Sequence, residues 1–131
     1  MKQEIIVYLR LLSDNNSPEE ISSRIKISSA KSWKQGEKNQ TTKMLYQENG
    51  WEIKSNLGDE IDVVKKIVDV LSLIEPYKKE INLLKENWDV EIACVIYYSE
   101  PSPPLNFDAS LLKQIGEVGA SLDIDIYNIE E

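Results

Sequence analysis

Histidine is absent from the chain, and cysteine occurs once, at Cys94. Without histidine there is no Ser-His-Asp or Cys-His relay, no His-ligated zinc and no histidine acid/base pair. With one cysteine there is no intrachain disulfide. Cys94 sits in an apolar run, where a thiol reads as a small buried hydrophobe and not as a nucleophile. No stretch approaches the roughly 18 apolar residues of a membrane span. The opening Met1-Lys2-Gln3-Glu4-Ile5-Ile6-Val7 is too short and too charged for a signal peptide, and no small-residue cleavage site follows. These absences lead us to expect a soluble cytoplasmic protein, without metal or cofactor, that is not an enzyme. What is present supports folding: 41% of the 131 residues are hydrophobic. That is enough for one core, and the length suits a single domain over residues 1–131.

Basic side chains are scarce in one part of the chain. The net charge is -8, and residues 87–131 carry nine acids against Lys113 alone, whereas residues 1–86 are balanced. Within the balanced part, Arg24, Lys26, Lys31, Lys34, Lys38 and Lys43 gather around Glu37. Such a distribution serves solubility and internal charge pairing, or it makes an acidic face that attracts a basic protein. It disfavours nucleic acid, which needs a net positive surface, and no membrane partner is expected.

The periodicities outline an α+β domain. Residues 4–12 alternate as a strand with both faces partly apolar, which suits an internal position. Ser17-Pro18-Glu19-Glu20 opens a short helix over 18–26, with serine as cap and Glu20 completing a capping box. Residues 28–42 form a long polar loop. Leu45 to Lys54 reads as a hairpin turning at Asn49-Gly50, with Trp51 and Ile53 on one face. Asp59 is placed to cap a helix with the stripe Ile61, Val64, Ile67, Val68, Leu71 and Ile74. Pro76 ends or kinks it, and a further helical stretch runs to Glu86. Trp88 precedes a strand over 91–98 and is expected to close the end of the helix pair. Asp108 caps a helix that Gly119 terminates, and residues 122–127 alternate as a last strand. The order is met by one mixed or antiparallel sheet with helices on one face, ferredoxin-like in character.

Four constellations could carry function. Asp123, Asp125 and Tyr127 share a strand face at spacings of roughly 7 Å. They form a solvated face, a grip on the basic loop or an interface; a hard cation would need further oxygen ligands. Lys31, Trp33, Lys34 and Gly36, with Trp51 as a wall, are candidates for an anion or nucleotide site. That loop has no phosphate-loop spacing and also reads as plain solvated loop. The three tryptophans default to core duty. Tyr97 and Tyr98 run into Ser99-Glu100-Pro101, where the strand meets the proline-rich loop. This end combines a tyrosine with acids such as Glu100, which suits a basic partner, and it reads equally as a strand fraying into a loop.

Several of these segments together resemble a known family. They are the Ser-Pro-Glu-Glu helix start, the Lys31-Ser32-Trp33-Lys34-Gln35-Gly36-Glu37 segment, Gly50-Trp51-Glu52-Ile53-Lys54-Ser55, and above all Ser121-Leu122-Asp123-Ile124-Asp125-Ile126-Tyr127. This pattern resembles the bacterial domain-of-unknown-function 4279 family over most of the chain. Ile27-Ser28-Ser29-Ala30 departs from it, standing where the family pattern carries a proline and a small hydroxyl residue. The resemblance implies a small bacterial cytoplasmic domain without an assigned activity. By analogy with small acidic antidote proteins, we expect a non-catalytic protein-binding domain, in its most specific form an immunity-type inhibitor of a basic toxin. Glu100, Asp123, Asp125, Tyr127 and Tyr98 are its expected contacts. The alternative expectation is a small-ligand or nucleotide sensor using residues 31–38.

Overall fold

The computed structural model describes residues 2–130. The elements run β1 (Glu4–Ser13), α1 (Glu19–Arg24), β2 (Lys31–Trp33), β3 (Asn49–Lys54), α2 (Val63–Ile74), a 3-10 turn (Glu75–Tyr77), α3 (Lys78–Leu84), β4 (Asp89–Tyr98), α4 (Ala109–Val118) and β5 (Ser121–Asn128). One five-stranded sheet has the order β2-β3-β1-β4-β5. All neighbours are antiparallel except β4 and β5, which run parallel. The sheet is mixed, and the fold is α+β.

β1 lies at the centre, as its two apolar faces required. Ile5, Val7, Leu9 and Leu11 point to the helices and are buried. Trp51 and Ile53 of β3 join them, with Ile92, Cys94 and Ile96 of β4. Ile67, Val70 and Ile74 of α2 close the core from the other side, with Leu111, Ile115 and Val118 of α4. Trp88 is buried at the end of α3, as expected. Removing these apolar side chains from water is the main favourable term in holding the fold together.

Several local expectations are corrected. Asn49-Gly50 is not a hairpin turn. Both residues lie inside β3, where they pair with Ser13 and Leu12. The reason is Trp33, whose indole lies against Gly50; a Cβ there would come within 2.2 Å of the ring. Glycine is required by close approach, not by a primed turn. β2 pairs with β3 from within the expected loop, at Lys31↔Glu52 and Trp33↔Gly50. Ser17 does not cap α1: the helix begins at Glu19 without a side-chain cap, and Glu20 instead accepts from Asn16 Nδ2 at 3.2 Å. Asp62, not Asp59, caps α2, accepting from the N–H groups of Val64 at 3.0 Å and Lys65 at 3.3 Å. The turn at Gly58 (φ +54°) delays the helix and leaves Ile61 exposed. Asp108 does cap α4, accepting from Leu111 N–H at 2.8 Å. Gly119 ends α4 in the left-handed region at φ 79°.

Candidate functional site

The helices cover one face of the sheet, and the strand alternation sends a second set of side chains to the other. The register puts Tyr8 and Arg10 of β1, Glu52 of β3, Glu91 and Tyr97 of β4, and Asp123, Asp125 and Tyr127 of β5 on this open face. Lys31 and Trp33 of β2 point the same way beyond β3.

Arg10 organises the centre. Its Nε donates to Glu52 Oε1 at 3.0 Å, an Nη lies 3.6 Å from Glu91, and the guanidinium sits 4.9 Å from the centre of the Tyr8 ring. Burial raises the Glu91 carboxyl pKa, which Arg10 partly offsets. Burial also raises the Tyr8 hydroxyl, and Glu52 adds to it.

Toward β5 the face becomes acidic and aromatic. Tyr97 and Tyr127 pair across the parallel ladder and stack at 5.3 Å between ring centres. Asp123 and Asp125 follow beside them, both exposed. Among the described residues neither takes part in an ion pair. The expected grip on the basic loop is not made, because β2 and β5 stand at opposite edges of the sheet. No cluster of potential metal ligands occurs among the described residues.

The segment between β2 and β3 is an ordered hairpin of its own. Tyr46 N–H donates to Glu37 O at 2.8 Å, Gly36 N–H donates to Tyr46 O at 2.9 Å, and Lys38 bridges Leu45. Asn39 Oδ1 ties its tip by accepting from Thr41 and Thr42. Tyr46 stacks on Trp33 at 4.7 Å. Between this hairpin and the strands lies a groove of about 530 Å³, walled by Trp33, Tyr46, Thr41, Tyr8, Arg10 and Tyr97.

The backbone of the basic loop offers no free cradle at residues 34–36, while the side chains of Lys31 and Lys38 line a shallow pocket beside Trp33. The backbone donors are already taken: Lys34 N–H by Glu37 Oε1 at 2.6 Å, Gln35 N–H by Asn49 Oδ1 at 2.8 Å, and Gly36 N–H by Tyr46 O. Glu37 supplies the anion from within the loop, and Lys34 Nζ pairs with Glu19 at 3.1 Å. Trp33, 7% exposed, is spent on packing against Gly50 and Tyr46.

The sequence candidates therefore divide. Asp123, Asp125 and Tyr127 come together as expected. Tyr98 does not join them: it faces the helices and packs on the core, while its neighbour Tyr97 takes the open face. Glu100 lies past the end of β4, its N–H donating to Glu130 at 3.0 Å. Trp51 is in the core, on the opposite face of the sheet from Trp33, so it walls no site with Lys31, Lys34 and Gly36. Sequence reasoning named Tyr97 only together with Tyr98, without choosing between them, and missed Tyr8 and Arg10. The signal was available for all three: alternate positions of β1 and β4 carry them to the face that Ile5, Val7 and Leu9 do not use.

The class defined here is an α+β domain with one face of its sheet uncovered by helices. The family model Domain of unknown function (DUF4279) matches residues 3–129, and the chain belongs to that family. No curated protein and no solved structure matches it. No helix among the described residues is long and apolar enough to cross a membrane.

Proposed function

We propose that this chain is a non-catalytic bacterial domain that binds a basic protein on the open face of its sheet. Its most specific form is an immunity-type inhibitor of a basic toxin in the cytoplasm. The observation that carries this reading is the exposed column of Asp123 and Asp125, which make no ion pair among the described residues, beside the stacked Tyr97 and Tyr127. Carboxylates left unpaired next to rigid aromatic surface suit lysine and arginine side chains from a partner. Complementary charge speeds such an encounter and weakens with salt. The test is capture from the native lysate at low and high salt, read by mass spectrometry, with wild type and with Asp123→Lys/Asp125→Lys. We expect one stoichiometric basic protein, released by salt and lost with the variant. Capture of no basic protein, or capture indifferent to the variant, counts against the reading.

The groove beside Trp33 and Tyr46 favours a second reading, a sensor of a small ligand. Its occupant would meet Arg10, Tyr8 and Thr41 and not the backbone of residues 34–37. Saturable change in tryptophan fluorescence on titration with nucleotides or phosphates supports it; a flat response counts against it.

A further inference from the structure

β5 is an edge strand, and its outer side is unused. Ile129 N–H donates to Tyr98 O at 2.8 Å, so the N–H groups of the odd-numbered residues point toward β4. By the alternation of a strand, those of Leu122, Ile124 and Ile126 point away from the sheet. Among the described residues no backbone group pairs with them. The opposite edge offers no equivalent, since β2 has three residues and the 34–48 hairpin continues from it.

Resting on the reading of a basic partner, we infer that the partner is bound by strand addition: an extended segment with lysine or arginine at alternate positions pairs with the outer edge of β5. Adding a strand at this edge places every second side chain on the open face, about 5 Å from Asp123 and Asp125. Basic residues there meet carboxylates that no cation among the described residues pairs, and a neighbouring position reaches the Tyr97–Tyr127 stack. The same charge selects against a second copy of this chain. Pairing β5 with another β5 sets acid columns side by side, which destabilises the pair. Acids beside an edge protect it from self-association, and here they also specify the sign of what can bind.

The test uses the full chain and two octapeptide probes of the same composition. One alternates lysine and valine, and the other carries them in separate blocks. Amide hydrogen exchange is followed by NMR. With the alternating probe, exchange at Leu122, Ile124 and Ile126 is expected to slow roughly tenfold or more. Asp123 and Asp125 amides, already bonded to β4, stay as they were. The blocked probe gives less protection, and Asp125→Lys removes the effect. Resonance shifts at Tyr97 and Tyr127 without protection of the three amides would overturn strand addition while leaving the open-face reading intact. Absence of binding by either probe, or protection of the same amides by self-association before any probe is added, overturns it as well. Lysate capture judges the wider reading separately.

Discussion

At Gly50 the missing side chain is what lets Trp33 lie flat on β3 and hold Tyr46 over the groove. Gly50→Ala puts a methyl group where the indole stands, and the ring must move because strand backbone fixes its neighbour. The expected cost is about 2 kcal/mol, within the range of overpacking a filled site. Denaturant unfolding measures it, and a red-shifted tryptophan emission reports the displaced ring. Arg10 has the contrary role: it is a large side chain that balances Glu52 and Glu91 on a face that would otherwise be acidic from β3 to β5.

Among the elements, α2 carries an unusual anchor. Lys66 is buried, and its ammonium donates to Ile5 O and to Gly58 O, the latter at 2.7 Å. The geometry explains the need. β3 stops pairing at Tyr8↔Lys54, Ser55 N–H takes Val7 O at 2.9 Å, and the next carbonyl on that side of β1 is that of Ile5. Lys66 satisfies it and pins the turn before α2 at the same time. Burial lowers its pKa from the ordinary 10.5, while Glu4 and Glu60 oppose the shift. Lys66→Met leaves two carbonyls without a donor and is expected to cost about 1–3 kcal/mol. The pH dependence has a definite sign. Between the lowered folded value and 10.5, the unfolded chain holds a proton that the folded chain releases. The wild type therefore gains stability as pH rises through that window, and the variant lacks this gain. Unfolding of both proteins at neutral and alkaline pH checks it. Elements such as β1, β4, α4 and β5 were legible because period and caps agreed with burial. β2 was not, since three polar-flanked residues carry no period; the start of α2 was misplaced because Asp59 and Asp62 are equally good caps and only the Gly58 turn chooses between them. The Lys66 anchor left no mark in the sequence, where it reads as a surface lysine.

For the whole molecule, the layout separates two faces of one sheet. Half of the candidate site was legible, because alternation within β5 sufficed to align Asp123, Asp125 and Tyr127. The rest depended on which strand lies beside which. Tyr97 and not Tyr98 became their neighbour, and Trp51 parted from Trp33, for reasons of register that composition does not encode. The central core is sealed, and Cys94 reports on it: the thiol is fully buried, and burial pushes its pKa up to about 12. A thiol-specific alkylating reagent at mildly alkaline pH is expected to react only through opening of the sheet. The labelling rate should then rise with denaturant in step with unfolding. Rapid labelling of the native protein would show that β4 opens without the rest.

The central position of β1 also bears on how the chain is made. Of the strands described, β1 is made before the others, yet one of its two neighbours is β4, with Val7 paired to Cys94. At ordinary elongation speeds the second partner arrives on the order of ten seconds later. Through that interval a largely apolar strand has no means of completing its ladder. Distant pairing of this kind places folding among the slower classes, in milliseconds to seconds once synthesis is complete. The nascent chain, more than the finished protein, is the form in which this sequence is exposed to aggregation and to chaperones.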